Sequence, residues 1–348
     1  MTPKQVYDSV IERVAPDRYP TTFGGQSIAV RQLGYTQEQF MNLPPKESAE
    51  ISYHIAKLYG GDLLHAGFGG TLFTAALGGK VKFREHGSPD VEEPLINSIS
   101  ELDKIDITRI REYRYYQRAL ESAKHTIRLA GGEYNVAVGG WGVFTQAGLF
   151  YGAERLMRAT LRDKPAVKAL LDFTFEVIKY AQEEFIELGA TVGGCADPTS
   201  SGDLISKKIF KEFSLPYLRK TYDWFKSKGL KTTLHICGNI NDRIDLIPDT
   251  NTDVISVDYK VDINRAAQIL AGRVVIGGNA DPAGIILTEK PEAVRKAYEK
   301  IIEDLDGIPY ILMPGCGIPS ITPIENIAAV NRLAHSTKPS PYFKEAIA

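Results

Sequence analysis

The chain has 348 residues, of which 43% are hydrophobic and 24% are charged, the ordinary balance of a globular protein with a large core. This composition excludes the fibrous and disordered classes. A formal net charge of -2 gives no general field that would attract nucleic acid or an anionic membrane, so we expect neither partner. No stretch of about 18 apolar residues occurs and the first residues lack a signal-peptide pattern, which predicts a cytoplasmic protein without an anchor.

The elements alternate regularly along the chain. Thr2 and Gln5 have the spacing of a capping box that opens a first helix, and Thr322 and Glu325 repeat that spacing before the last one. Short apolar or β-branched runs predict about eight strands. These runs cover residues 20–23, 63–68, 135–139, 191–195, 232–237, 254–257, 274–278 and 310–313.

Amphipathic segments lie between most of these runs, as in residues 165–188, which are followed by Gly189 at the position of a C-terminal cap. Alternation of strands and helices indicates a parallel sheet, and about eight repeats favour a closed (β/α)8 TIM-type barrel over an open sheet. Residues 79–130 are charged and predict a hairpin and helical segment inserted between the second and third strands. Since no linker or repeat interrupts the pattern, we expect one domain over residues 1–348.

Three cysteines, Cys195, Cys237 and Cys316, all follow or end predicted strands, where a parallel barrel places its active site. An odd and small number of cysteines in a reducing compartment indicates free thiols or metal ligands. His235 and Cys237 stand two apart on a strand and therefore face the same way. Together with Cys316, they provide one nitrogen and two thiolates, the donor set of a zinc site with an open fourth position.

Cysteines are also common as small buried residues, so each has an alternative reading as part of the core. Cys195 is either a fourth thiolate ligand or a core residue, and we favour the core because Asp197 follows on its face.

Several further residues at strand ends are candidates for contacts with a substrate or cofactor. Asp281 is equally compatible with capping the helix that follows it. The candidates are His65, Trp141, Asp197, Asn279 and Asp281, with Cys195 as above, while Asp258 also follows an apolar run.

Two motifs carry a family resemblance: His-Ile-Cys-Gly-Asn at residues 235–239 and Met-Pro-Gly-Cys-Gly-Ile-Pro at residues 313–319. They resemble the corrinoid-linked methyltransferase branch of the uroporphyrinogen decarboxylase superfamily. The resemblance extends to residues 196–206, 278–282 and 322–326 and weakly to residues 17–20, and so covers nearly the whole chain.

The resemblance implies a barrel in which His235, Cys237 and Cys316 hold a catalytic zinc ion that activates the donor or acceptor of a methyl group. It also implies a corrinoid (cobalamin) supplied by a separate protein, because the chain contains no Asp-x-His-x-x-Gly segment of the kind that ligates cobalt from below. A small molecule would donate or accept the methyl group, as a thiol or a methyl ether. A homodimer is left open.

Two alternatives remain. Decarboxylases of the superfamily carry Arg-Gln-Ala-Gly-Arg and Leu-Gly-His-Gly-Ile, whereas this chain has Arg31-Gln32-Leu33-Gly34-Tyr35 and Pro314-Gly315-Cys316-Gly317-Ile318. Both departures disfavour uroporphyrinogen decarboxylation. A non-catalytic module stabilised by metal is disfavoured because structural zinc sites are fully ligated by protein.

Overall fold

Seven parallel strands form one curled sheet in the order β1-β4-β5-β6-β7-β8-β9, and β2 and β3 form a separate antiparallel pair. The computed structural model describes residues 1–23 and 26–340. The strands are β1 Leu63–His65, β2 Lys80–Lys82, β3 Asp90–Glu93, β4 Asn135–Trp141, β5 Val192–Ala196, β6 Lys231–Ile236, β7 Val254–Val257, β8 Val275–Ala280 and β9 Tyr310–Pro314.

The sheet therefore confirms a parallel α/β architecture but differs from the predicted eight strands at its first position. The segment predicted as the first strand contributes only an isolated parallel bridge between Thr21 and Leu312. The backbone oxygen of Thr21 also accepts from the backbone N–H of Asp62, just before β1. Pro20 has no N–H to offer a neighbouring strand, and the pairing is correspondingly short.

Helices follow the strands and cover the outside of the sheet. The α-helices are α1 Pro3–Ile11, α2 Gln26–Gln32, α3 Gln37–Met41, α4 Pro45–Tyr59, α5 Thr71–Leu77, α6 Arg109–Glu112, α7 Arg114–Ala130, α8 Val143–Tyr151, α9 Ala153–Arg162, α10 Lys164–Glu187, α11 Lys207–Ile209, α12 Leu215–Ser227, α13 Ile263–Leu270, α14 Ile285–Thr288, α15 Pro291–Asp304 and α16 Ile324–Ser336. Shorter 3₁₀ segments lie at Ile99–Lys104, Pro198–Ser200 and Ile244–Thr250, and a π-helical turn at Phe210–Ser214 leads into α12. Between β1 and β4 the chain forms α5, the β2–β3 pair, α6 and α7, and α7 packs along α4.

The sequence predicts a capping box before the first helix and another before the last helix, and only the first is present in the structure. Thr2 and Gln5 form the predicted capping box at the start of α1. The same prediction is wrong for Thr322, because α16 begins one residue later, after Pro323, and the buried Thr322 hydroxyl has no hydrogen-bond partner among the described residues. Gly189 adopts a φ of 114° after α10, a backbone angle that favours glycine and ends the helix as predicted.

One end of the sheet is filled and the other remains open. Tyr7 and Val10 of α1 pack with Leu63, Val192, Val254 and Ile311, which lie at or near the amino ends of their strands. This apolar cluster fills the amino-terminal end of the lumen, whereas residues at the carboxyl ends of β1, β4, β5 and β6 line a cavity. None of the described helices combines the length and hydrophobicity needed to cross a bilayer.

Candidate metal centre

The carboxyl ends of β6 and β9 bring together one histidine and two cysteines. His235 lies on β6, Cys237 follows that strand directly, and Cys316 lies just beyond the end of β9. The Nε2 atom of His235 is 3.0 Å from the Sγ atom of Cys237, which is 3.3 Å from the Sγ atom of Cys316. The three candidate ligand atoms lie within 4.8 Å of one another. The structure therefore brings together the three residues that the sequence predicts as ligands.

Ser256 on β7 determines how the His235 ring is oriented. His235 and Ser256 are register partners on neighbouring strands, and the Nδ1 atom of the ring lies 3.1 Å from both the backbone oxygen and the hydroxyl of Ser256. A carbonyl can only accept, so Nδ1 carries the proton and Nε2 presents its lone pair to the cysteines. Sequence reasoning missed Ser256, although its place one strand over from His235 could have indicated it once the register was known.

The two thiols are electrostatically inequivalent. The hydrogen bond from the Cys237 thiol stabilises the Cys316 thiolate and lowers the pKa of Cys316 to about 4. The pKa of Cys237 is raised, because its thiol donates to Cys316 and because it is buried near the charges of Cys316 and Asp258. The opposite directions of the two shifts favour a single proton shared by the pair, and a cation bound by both sulfurs would favour release of that proton.

Two polar side chains fix the loops beside the three residues. The Asp258 carboxylate accepts from the backbone N–H of Gly238, next to Cys237, at 2.8 Å and also from the N–H of Lys260. The Asn279 amide donates to the backbone oxygens of Asp258 and Val261. Asn279 is thus placed as a residue that positions a loop, and it is not one of the three grouped ligands.

Cys195 is directed away from these ligands. Its thiol is buried and lies 2.9 Å from the hydroxyl of Tyr222 on α12, which in turn donates to the backbone oxygen of Thr233. Burial raises the pKa of Cys195 to about 12, so the thiol stays protonated. This placement agrees with the core reading of Cys195 and leaves it outside the grouped ligands.

Asp197 is fully buried and ties three segments together. Its carboxylate accepts from the backbone N–H and hydroxyl of Thr145 in α8 and from the hydroxyls of Ser200 and Ser214. Gly142 stands at the N-cap of α8 and has no side chain, so Asp197 supplies that cap from another part of the chain. Burial raises its pKa. The structure places Asp197 in this network and outside the group of ligands.

Asp281 has the geometry of a cap. Its Oδ1 atom accepts from the backbone N–H groups of Ala283 and Gly284, each at 2.9 Å, in the turn that precedes α14. Of the two readings left open by the sequence, the observed contacts match capping.

His65 and Trp141 line a cavity of about 660 Å³ that His235 also lines. His65 ends β1 and is open to the cavity, yet protein surrounds it, and this burial lowers its pKa. The indole N–H of Trp141 donates to Thr71 at 2.9 Å, which leaves the ring itself in the cavity wall. His65 on β1 and Trp141 on β4 lie on neighbouring strands of the sheet.

The donor set fits a zinc ion. Two thiols and an imidazole are soft to borderline donors, which select zinc over magnesium or calcium. Among the described residues, this is the only group of three or more potential ligands within reach of a single ion.

A parallel α/β sheet with a His-Cys-Cys group at its carboxyl-terminal edge defines a candidate metalloenzyme. The chain belongs to the uroporphyrinogen decarboxylase (URO-D) family, whose sequence profile matches residues 2–337. Methylcobamide:CoM methyltransferase MtbA from Methanosarcina acetivorans is 36% identical over 172 residues, which cover 49% of this chain and 50% of MtbA. MtaA from Methanosarcina barkeri, strain Fusaro, is 31% identical over 61% of each chain.

The chain therefore spans about half the length of MtbA. A chloroplastic uroporphyrinogen decarboxylase from Zea mays is 31% identical over 36% of this chain and 31% of its own. The predicted resemblance to the methyltransferase branch is confirmed by these matches. A solved methyltransferase from Methanosarcina mazei shares the fold with a TM-score of 0.85 over 97% of this chain and 99% of its own, at 22% identity.

Proposed function

We propose that this chain is a zinc-dependent methyltransferase of a corrinoid system, which moves a methyl group between a corrinoid protein and a small thiol or methyl ether. The observation that carries the proposal is the convergence of His235, Cys237 and Cys316 within 4.8 Å at the open end of the sheet. The names of MtbA and MtaA as methylcobamide:CoM methyltransferases support it.

Zinc held by these residues would supply Lewis acidity, which lowers the pKa of a bound thiol or polarises the oxygen of a methyl ether. Neighbouring residues of the chain would hold the metal ligands in position. Ser256 holds Nε2 of His235 toward the ligand group, and Asp258 fixes the backbone next to Cys237. With three protein donors, a bound zinc ion would keep one coordination position for the substrate, as catalytic zinc sites do.

In the direction of thiol methylation, a carbon–sulfur bond forms as the carbon–cobalt bond of the methylcobamide breaks. The thiol loses its proton before the step, and the electron pair of the broken bond remains on cobalt. In the reverse direction, reduced cobalt attacks the methyl group of an ether or thioether, and the leaving oxygen or sulfur keeps its bonding pair. The corrinoid protein must reach the open carboxyl-terminal end of the sheet in either direction, because α1 and its apolar cluster fill the other end.

A purely structural metal site is disfavoured because Cys195, the remaining cysteine, is hydrogen-bonded to Tyr222 and lies outside the group of three ligands.

A methyl-transfer assay tests the proposal. The zinc-loaded chain is mixed with methylcobalamin and a panel of thiols, and with reduced cobalamin and methyl ethers, while the absorbance of the cobalt centre is followed. We expect transfer in at least one direction, and a loss of at least about a hundredfold in His235→Ala. Cys195→Ala is the matched control and should keep its activity. Equal rates in His235→Ala and the parent would refute the proposed role of the metal centre.

A further inference from the structure

One cavity connects the strand that carries His235 with the helix that carries Arg118. Its volume is about 660 Å³, within the range of sites that bind small molecules, and both residues line it. His235 lies on β6, and β5, β4 and β1 follow β6 in the sheet. Arg118 lies on α7, which packs against β4 and along α4, and α4 packs against β1. The cavity therefore runs from the metal ligands across the sheet to the helices beside β1.

The two parts of the cavity differ in polarity. Along the strands its wall is formed by small or apolar residues, among them Gly139, Gly194, Ala196 and the ring of Trp141. The wall near Arg118 contains hydroxyl and amide side chains from α2, α4 and α7, namely Gln26, Ser48, Ser52 and Ser122. A carbon chain can pack along the first part, and the second part can bind a polar group.

Arg118 makes the wall of the cavity electropositive. Apart from His65 and His235, it is the only charged side chain among the described lining residues, and none of these residues is acidic. The Nε and Nη2 atoms of Arg118 donate to the backbone oxygens of three residues at the end of α3, Met41, Asn42 and Leu43. These neutral acceptors hold the guanidinium in place without cancelling its charge. Nη1 donates to none of the described residues, so it can donate to a carboxylate, sulfonate or phosphate oxygen.

The separation of Arg118 from the metal ligands limits which anions can use both. Two strand spacings lie between β6 and β4 and three between β6 and β1, about 10–14 Å along the sheet. The guanidinium cannot swing toward β6 while it is bonded to the end of α3. A molecule that contacts both Arg118 and the metal centre must therefore be longer than a two-carbon chain.

We propose that the cavity binds an elongated anionic substrate, whose carboxylate, sulfonate or phosphate pairs with Arg118 while its thiol or methyl ether reaches the metal centre at His235. The inference rests on the proposed function, since it concerns the substrate of that same site. It separates this chain from relatives named for coenzyme M, a two-carbon thiol with a sulfonate group, because so short a molecule cannot span the cavity.

Calorimetric titration of the zinc-loaded chain with two matched pairs of thiols tests the proposal. The long pair is 8-mercaptooctanoate and 8-mercaptooctanol, and the short pair is 3-mercaptopropanoate and 3-mercaptopropanol. Within each pair only the group at the far end from the thiol changes, from a carboxylate to an alcohol. We expect the long carboxylate to bind about tenfold more tightly than its alcohol, as a charged hydrogen bond would provide. The short carboxylate should gain less than about twofold over its alcohol, because it cannot reach Arg118.

Substitutions of Arg118 test whether this residue is the source of the preference. Arg118→Gln should abolish the preference for the long carboxylate, and Arg118→Lys should keep part of it, because lysine retains the positive charge. Arg114→Gln is the matched control, since it removes the same charge one turn earlier on α7, from an exposed residue outside the cavity wall. It should bind both pairs like the parent. Thermal unfolding and zinc content establish that each variant is folded and loaded.

Three outcomes would overturn the inference and leave the methyl-transfer assay with short thiols unaffected. They are equal binding of the long carboxylate and its alcohol by the parent, an unchanged preference in a folded Arg118→Gln protein, and an equal loss of preference in Arg114→Gln and Arg118→Gln. The third outcome would show a general effect of charge in place of a contact with Arg118. Failure of every thiol to bind would overturn the inference together with the proposed thiol chemistry of the metal centre.

Discussion

The Sγ atoms of Cys237 and Cys316 lie 3.3 Å apart although 79 residues separate them in the chain. They follow β6 and β9, whose carboxyl ends face the same opening of the curled sheet. The Cys237 thiol donates a hydrogen bond to the Cys316 thiolate, which lowers the pKa of Cys316 and raises that of Cys237, and two thiolates this close would repel each other if both were ionised. A divalent cation relieves this repulsion, so the arrangement favours metal binding.

We expect the purified chain to contain about one zinc ion, and Cys237→Ala and Cys316→Ala to lose it, because two remaining ligands bind zinc too weakly. Elemental analysis by mass spectrometry measures the zinc content. Cys195→Ala is the matched control and should retain its zinc, with a loss of about 1–2 kcal/mol in the free energy of unfolding from the removed buried thiol. Full zinc occupancy in Cys316→Ala would be incompatible with the assigned ligand set.

Ser256→Ala should weaken zinc binding without abolishing it. The variant removes one of two contacts to Nδ1 of His235 and keeps the backbone carbonyl, so the ring is held less firmly. Loss of such outer contacts lowers metal affinity by about tenfold or more. Competition with a fluorescent chelator measures the dissociation constant. Ser227→Ala, at the exposed end of α12, is the control, and equal affinities of the two variants would contradict the role of Ser256.

Acid should destabilise the fold through His65. Its folded-state pKa is lowered below 6.5 by burial, so between that value and 6.5 the unfolded chain binds a proton that the folded chain does not. The stability contributed by this histidine is therefore complete above pH 6.5 and decreases as the pH falls through the folded-state pKa. The slope is at most about 1.4 kcal/mol per pH unit, and less where water in the cavity screens the charge.

Denaturant unfolding of the parent and of His65→Gln between pH 5 and 7.5 isolates this effect from that of His335, whose pKa is also lowered. The variant should lose less stability on acidification. Parallel pH profiles would show that the His65 ring is not desolvated in the folded chain.

Uroporphyrinogen should not be a substrate. Tyr35 stands where the decarboxylases have a second arginine, and a neutral phenol cannot form the paired hydrogen bonds of a guanidinium with a carboxylate. Incubation with uroporphyrinogen and chromatography of the products should detect no coproporphyrinogen. Detectable decarboxylation would assign the chain to the other branch of the family.

The sequence predicted where the strands lie in the chain better than it predicted which side chains contact each other between strands and helices. Apolar runs placed seven strands within a few residues, and β7 at Val254–Val257 coincides with its prediction. The two-residue spacing of His235 and Cys237 correctly indicated a shared direction. The part played by Ser256 depends on the register between β6 and β7, and the cap that Asp197 gives to α8 depends on tertiary packing. Neither relation has a local signature, because each joins residues that are distant in the chain.

Zinc K-edge X-ray absorption of the purified chain, before and after addition of a thiol that it binds, tests the central claim most directly. We predict a shell of one imidazole nitrogen, two sulfurs and one exchangeable light atom, in which the thiol replaces the light atom and raises the sulfur count to three. A shell already complete with four protein ligands, unchanged by the thiol, or zinc bound without sulfur, would contradict the assignment of His235, Cys237 and Cys316 to an open catalytic site.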